Sequence, residues 1–173
     1  MKILVSILAL FATASLALAD SNLKQAEQYY QRGLAAEKSG DPNTAIAAYK
    51  MALKLHPRHA KARYRAGQVK IHAKDIKADA TEAKIGSVII PVYQLENASF
   101  KEAIDLLSLA MDKTTEGKIA PNFVIEDPKN KLKDADISIQ LKNVPVKTIL
   151  NYLHAQTNTK ARYDEYAVVI MAR

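Results

Sequence analysis

Hydrophobic and polar positions change their spacing near the end of the chain. Apolar residues alternate with polar ones from Ile137 to Lys142, which predicts a strand with one buried face. Pro145 then opens a segment with helical spacing, since Pro is favoured in a first helical turn. Asn158 tolerates the left-handed conformation that stops helices, so we expect the helix to end near Thr157. The predicted buried stripe of this helix is Val146, Ile149, Leu150 and Leu153.

The pattern of apolar and polar residues predicts further elements before and after this strand and helix. Residues 161–163 and 166–171 are β-rich and predict a closing hairpin. Val88 to Leu95 predicts a first strand, in which Pro91 favours an edge or a position near the start. We expect one face of that strand to hold Ile89, Pro91, Tyr93 and Leu95.

A capping box marks the start of another helix. Ser99 stands three residues before Glu102, a spacing at which each side chain can bond the backbone of the other. Residues 122–126 predict a brief strand, and residues 128–134 a Lys-rich loop. The predicted buried stripe of the helix is Phe100, Ala103, Ile104, Leu107 and Met111.

The predicted order over residues 88–172 is therefore strand, helix, strand, strand, helix, strand, strand. The line DISIQLKNVPVKTILNYLHAQTNTKARYDEYAVVI, with its NVP turn, resembles the short N-terminal domain of secretins and of TonB-dependent receptors. The resemblance implies docking to partners of a secretion, pilus or TonB-linked system. Pairing at a sheet edge is one such mode, and residues 161–171 or 88–95 are the candidate edges.

Residues 22–84 are rich in Ala, Lys, Gln and Glu, which are strong helix formers. Asp41 and Pro42 are typical of a cap and a first helical position. The offsets of seven residues resemble one complete tetratricopeptide repeat within a helical module of about residues 23–84. Those residues are Tyr29, Gly33, Gly40, Ala45, Tyr49, Ala52 and Pro57.

A second copy of the repeat begins but departs from the pattern. Gly67 follows Gly33 by 34 residues, the period of this repeat class. Lys74 stands where a turn Gly is expected and Asp79 where a small residue belongs, so we expect the helix over residues 76–84 to be short or irregular. Because such repeats usually need about three units to bury a continuous core, we expect support from the C-terminal domain or another chain.

The first residues have the pattern of a secretory signal. A basic head precedes an apolar run from Ile3 to Leu16, and residues 17–19 form an A-x-A cleavage site. The run is shorter than the roughly 20 apolar residues of a spanning helix. We expect cleavage after Ala19 and a periplasmic or secreted product. With no Cys, that product has no disulfides and is not a lipid-modified lipoprotein.

The predicted fold class is α+β, with tetratricopeptide-like helical hairpins followed by a small β-α-β-β-α-β-β domain. We divide the chain into a signal peptide at 1–19, a helical module at 20–84 and the small domain at 85–173. The boundary is expected at the short connector Ile85-Gly86-Ser87.

Charge is distributed unevenly between these parts. Residues 20–84 hold 13 Lys or Arg against 7 Asp or Glu, whereas residues 85–173 hold 11 of each. The basic helical face is typical either of a solvated surface or of a site for an acidic peptide, an anionic envelope polymer or lipid head groups. Nucleic acid is not expected as a partner of an exported chain.

By the resemblance to tetratricopeptide repeats, a groove that binds partners would lie on the first helix of each copy. Two phenols with Lys and Arg could hold a peptide by stacking and by charge-assisted hydrogen bonds. The alternative is that Tyr30 and Tyr64 cover the incomplete end of the repeats. The candidate partner-binding residues are Tyr30, Leu34, Lys61, Tyr64, Arg65 and Gln68.

Motifs of catalysis and cofactor binding were not found in the sequence. It contains no Cys nucleophile, no G-x-S-x-G, no H-E-x-x-H and no Gly-rich phosphate loop. His56 and His59 have a spacing that two metal ligands use, but the sequence offers no third ligand nearby, so we expect neither metal nor cofactor.

We therefore expect a non-enzymatic interaction or assembly module of the bacterial cell envelope, whose partner is an envelope protein or acidic peptide. One alternative is a self-assembling structural protein that uses the incomplete repeat as a dimer interface. Another is a hydrolase of unrecognised type, which would require a deep polar pocket.

Overall fold

The computed structural model describes residues 2–132 and 135–173, with side chains from Asp20 onward. The fold class is α+β, as the sequence predicts. Two compact units divide within the fourth helix, at Met1–Lys77 and Ala78–Arg173. The helices are α1 Lys2–Lys38, α2 Pro42–Leu55, α3 Ala60–Ile71, α4 Ala73–Gly86, α5 Phe100–Thr115 and α6 Val146–Thr157. The strands are β1 Ile89–Ala98, β2 Asn122–Glu126, β3 Ile137–Pro145, β4 Thr159–Tyr163 and β5 Ala167–Ala172.

The first unit is built around the pair of α1 and α2. Asp41 caps α2 by accepting a hydrogen bond from the Thr44 backbone N–H at 3.0 Å, and Pro42 is its first residue. The buried face of α2 presents Ala45, Tyr49 and Ala52 to the core, where small and large side chains interlock. This confirms the packing predicted for the first repeat copy.

The prediction of a short or irregular second helix after α3 is wrong. α4 is a regular helix of 14 residues. The chain turns at His72, whose φ of −103° and ψ of 25° are open to any residue, so the turn needs no Gly. The Ala- and Lys-rich composition of α4 then sustains the helix without the small residue that the repeat pattern has at the position of Asp79. Ile85 and Gly86, expected as a connector, lie in the last turn of α4.

The second unit contains two sheets. β1 pairs with β3 in an antiparallel sheet, and the other sheet has the order β2-β5-β4. In the latter, β2 runs parallel to β5 and β4 antiparallel to it. The predicted order of strands and helices is confirmed. The largest fully buried side chains of its core include Tyr93, Phe100, Leu107, Met111, Ile149 and Leu153.

The predicted burial of β1 is wrong in its detail. Ile90 and Tyr93 are buried, whereas Ile89 is 48% exposed. Pro91, which has no N–H, stands opposite Asn143, which has a φ of 52°; the flanking pairs are Ile90 with Val144 and Val92 with Lys142. The irregular position shifts the alternation on both strands. On β1, for example, the buried residues Ile90 and Tyr93 are three positions apart, whereas a regular strand would bury residues two or four positions apart.

The two helices of this unit bury the stripes that the sequence predicts. Ser99 and Glu102 form the capping box of α5, and its five predicted apolar residues are buried. The four predicted residues of α6 are buried, and Asn158 ends that helix with a φ of 50°. Pro145 differs from the prediction, because it is the N-cap and still extended rather than within the first turn. It is held there by its pairing with Ile89 in the sheet.

The closing hairpin is confirmed, with the Asp164 N–H donating to the Ala167 carbonyl at 2.8 Å. Only part of it is an edge. β5 lies between β2 and β4, so the prediction of a free edge over residues 161–171 holds for β4 and is wrong for β5. In the other sheet, β1 has a free edge.

The predicted signal peptide at 1–19 falls outside the described side chains, although the backbone of α1 is helical from Lys2. Within the described part of the chain, no helix combines the length and apolar character needed to cross a membrane.

Candidate partner-binding surface

The contact of α1 with α2 is set by Gly33 and Tyr49. A Cβ added at Gly33 would lie 2.6 Å from Cδ1 of Tyr49, so only Gly admits the ring. The Tyr49 hydroxyl donates to Glu37 Oε1 at the other end of this contact. Burial, together with the Glu37 carboxylate, raises the pKa of Tyr49. The phenol therefore stays a donor at any ordinary pH.

Glu37 also connects α3 to the other two helices. Its second oxygen, Oε2, accepts from Arg65 Nη1 at 3.2 Å. The Glu37 side chain is 14% exposed and that of Arg65 45%. One carboxylate thus holds one donor from α2 and one from α3, and part of the Arg65 guanidinium is engaged within the unit.

His59 caps α3 and faces α1. Its Nδ1 accepts from the Ala62 backbone N–H at 3.2 Å, so the proton of the neutral ring lies on Nε2, 3.3 Å from Glu27 Oε2. The pKa of Glu27 is lowered by its hydrogen bond from Gln31 first and by His59 after that. The His59 ring also stacks at 5.0 Å from Tyr30, in a tilted arrangement.

His56 and His59 have their ring centroids 5.7 Å apart. Among the described residues, no group of three or more His, Cys, Asp or Glu is arranged to hold a metal ion. His59 uses Nδ1 for its helix cap, which explains its place without a metal.

The six predicted site residues fall into two groups. On α1, Tyr30 is 9% exposed and packs 5.7 Å from Tyr49, and Leu34 is half-buried beside the same core. On α3, the helical spacing of Lys61, Tyr64, Arg65 and Gln68 puts them on one face. Tyr64 is 65% exposed, Lys61 and Arg65 are exposed, and Gln68 is half-buried. We call these four residues the α3 face.

Glu37 and His59 organise this surface, and the sequence did not single them out for that role. Glu37 and Arg65 are 28 residues apart, a separation at which no local pattern predicts a pair. His is an uncommon N-cap, so the position of His59 immediately before α3 gave only a weak signal.

A second candidate surface lies in the C-terminal unit, at the edge strand β2. A cleft of about 540 Å³ separates β2 from α5, and its apolar lining includes Ile104, Phe123 and Ile125. Ser108 and the Lys101–Asp105 ion pair line its α5 side. Backbone groups of an edge strand together with an adjacent apolar cleft are suited to an extended peptide.

Comparison with known proteins bears on the first unit. Residues 26–59 match the family model of the tetratricopeptide repeat. The matched segment contains the contact of Gly33 with Tyr49 and the cap of α2, and it ends at His59. Tetratricopeptide repeats generally mediate protein–protein interactions. No curated protein and no solved structure matches the chain.

Proposed function

We propose that this protein is an exported, non-enzymatic module that binds or assembles other proteins in the envelope of a bacterium. The observation that carries the proposal is the tetratricopeptide repeat at residues 26–59, a class of module that mediates protein–protein interactions. The basic charge of the helical segment selects an envelope protein with an acidic segment as the partner.

The α3 face is the first docking surface in this proposal. Lys61 and Tyr64 are exposed and offer an ammonium group and an aromatic ring three residues apart. Arg65 adds the donors that Glu37 does not use. An acidic extended peptide would gain charge-assisted hydrogen bonds and a stacking surface there.

Substitution on this face tests the proposal. Lys61→Glu combined with Tyr64→Ser should reduce recovery of envelope partners after in-cell crosslinking, because both groups point to solvent and neither supports the fold. Arg65 is left intact because a carboxylate there would face Glu37. Lys50→Glu, an exposed charge reversal on α2, is the matched control. Unchanged recovery with the double variant would remove the α3 face from the proposal.

The C-terminal unit supplies the second docking surface in this proposal. In this proposal, residues 88–172 act like the secretin and TonB-receptor short domain that they resemble. The cleft beside β2 supports docking there, because it lies next to a free edge and has an apolar lining. We propose that an extended segment of a secretion, pilus or TonB-linked component pairs with this edge.

The cleft can be blocked without altering the strand. Ser108→Arg places a long cation between α5 and β2 and should abolish crosslinks to the partner that docks there. Thr114→Arg introduces the same side chain on the exposed last turn of α5, away from the cleft, and should leave them intact. Equal crosslinking by both variants would argue against docking at β2.

Export is the third part of the proposal, based on the apolar run before Ala17-Leu18-Ala19. The intact mass of the protein recovered from the periplasm should correspond to a chain beginning at Asp20. Recovery of the uncleaved chain from the cytoplasm would contradict it.

A further inference from the structure

The first repeat copy shows how its Gly is used. Around Gly33, the neighbours three and four residues away are Tyr29, Tyr30, Ala36 and Glu37, which form the face that receives the Tyr49 ring. Tyr30 and Ala36 are 9% and 7% exposed, so this face is closed by α2.

The same positions in the second copy form an open face. A Cβ added at Gly67 would meet no heavy atom within 4 Å in the described part of the chain. The four neighbours of Gly67 at helical spacing are Arg63, Tyr64, Lys70 and Ile71. Tyr64 is 65% exposed and Ile71 73% exposed. We call these five residues, centred on Gly67, the Gly67 slot.

The chemistry of the slot differs from that of its counterpart. Arg63 and Lys70 occupy the positions that Tyr29 and Ala36 occupy 34 residues earlier, and both are exposed cations. The position 34 residues after Tyr49 is Ala83, which has no ring to insert. The slot therefore combines open space at Gly67 with an apolar side and a basic side, and no described atom lies within 4 Å of a Cβ built there.

We infer that the Gly67 slot binds an amphipathic helix of a partner protein, which inserts one large aromatic side chain at Gly67 and presents carboxylates to Arg63 and Lys70. The inference rests on the proposed interaction function and names the chemistry of its partner. Charge complementarity selects an acidic helix over a second copy of this chain, because the helical segment is itself basic and two such faces repel. The equivalent face at Gly33 receives the ring of Tyr49, so an aromatic side chain of the partner is the group that we place at Gly67.

The probe is a peptide taken from α2, the helix that closes the first slot. Residues 42–55, made with Lys50→Glu and Lys54→Glu and cross-linked to hold them helical, retain Tyr49 and carry the complementary charge. Titrated into the full chain and followed by NMR, this peptide should shift the amide signals of Gly67 and its neighbours saturably. The unaltered basic peptide should bind about tenfold more weakly or less.

Two variants and one control test where the peptide binds. Gly67→Gln places a side chain over the slot, where an added Cβ meets no neighbour, and should weaken binding at least about tenfold. Lys70→Glu leaves the slot open but should weaken binding of the acidic peptide and improve that of the basic one. Ala47→Gln, the same type of change at an exposed position of α2, should bind as the parent chain does.

Several outcomes would overturn the inference. These are no saturable binding of the acidic peptide, equal binding by Gly67→Gln, a dimer in sedimentation that Gly67→Gln abolishes, or binding to phosphatidylglycerol vesicles that depends on Gly67 while peptide binding does not. If Gly67→Gln weakens neither binding of the acidic peptide nor crosslinking to envelope partners, the slot is not used and the proposed function still stands.

Discussion

Gly33 and Gly67 occupy equivalent repeat positions but have opposite surroundings. At Gly33 the ring of Tyr49 lies where a side chain would be, and at Gly67 the space is open. At Gly33 the ring comes from α2, whereas the residue 34 positions after Tyr49 in the sequence is Ala83, which has no ring. The same residue type is therefore needed for packing at one site and free to serve binding at the other.

The two glycines should respond oppositely to the same substitution. Gly33→Ala forces the Tyr49 ring to move and should destabilise the helical unit by about 1–3 kcal/mol. Gly67→Ala should stabilise it by about 0.5–1 kcal/mol, because Ala loses less conformational entropy in a helix. Urea denaturation followed by circular dichroism at 222 nm measures both. A loss of stability in both variants would contradict the open slot.

Two buried phenols predict a loss of stability in alkali. Burial raises the pKa of Tyr93, whose hydroxyl donates to the Ala103 carbonyl at 2.6 Å, and burial with Glu37 raises the pKa of Tyr49. The folded chain favours the neutral forms of these two phenols. Their contribution to the free energy of unfolding is therefore complete below the unfolded pKa of about 10 and is lost as pH rises above it.

The free energy of unfolding, measured from pH 8 to pH 12, should therefore fall above about pH 10. Tyr93→Phe should reduce that fall, and it should also cost about 1 kcal/mol at neutral pH through the lost hydrogen bond. Tyr166→Phe, at a phenol that is 79% exposed, is the control and should leave the pH profile unchanged. An identical alkaline profile for Tyr93→Phe and the parent chain would contradict this prediction.

At the scale of elements, α5 illustrates how a local signal fixes a helix start. The Ser99 hydroxyl accepts from the Glu102 N–H at 3.3 Å, and the Glu102 carboxylate accepts from the Ser99 N–H at 2.8 Å. Backbone and side-chain hydrogen bonds from Ser99 lower the pKa of Glu102. The cap thus contributes most when Glu102 is ionised.

Ser99→Ala should destabilise the C-terminal unit by about 1 kcal/mol. Since the pKa of Glu102 is depressed, the stability it contributes is present above its unfolded pKa and is lost as pH falls. The difference in the free energy of unfolding between the parent chain and Ser99→Ala should therefore become smaller in acid. Ser108→Ala within the same helix should cost nothing, because Ala is the better helix former. Urea unfolding at neutral and acidic pH tests both points, and a gap that widened in acid would contradict the prediction.

Most elements of the C-terminal unit could be predicted because their signals are local. A capping box, a period of 3.6 or an Asn at a helix end is read within a few residues, and α5 and α6 follow those signals. At Pro91 and Asn143, the side of each strand that faces the core changes. This change could not be predicted, since it arises where two strands that are distant in the sequence pair. The parallel pairing of β2 with β5 is likewise set by the whole core, not by either strand's own pattern.

The candidate site was predicted less completely, for a related reason. The helical spacing of Lys61, Tyr64 and Arg65 places them together on α3 without knowledge of the tertiary fold. The burial of Tyr30 and the engagement of Arg65 depend on contacts with Tyr49, His59 and Glu37 from other helices. The spacing of residues along the sequence cannot predict contacts between different helices.

At the scale of the whole molecule, the chain joins two units of different charge and construction. The helical segment at residues 20–84 is strongly basic, whereas residues 85–173 are balanced. Basic charge accelerates encounter with acidic partners, and this electrostatic attraction weakens as the salt concentration rises. A sheet edge forms backbone hydrogen bonds that tolerate many sequences. In the proposed function, the helices select a partner by charge and shape, and the sheet edge adds a second contact to the same assembly.

The most direct test of that account is the mass at which the protein elutes from gel filtration of a gently solubilised envelope extract. The proposed function predicts elution well above the mass of a single mature chain, which is below the 19.1 kDa of the full sequence, together with at least one different protein. A folded variant that combines Lys61→Glu, Tyr64→Ser and Ser108→Arg should shift toward the monomer. Elution of the parent chain as a monomer, or as a dimer without any other protein, would contradict the account.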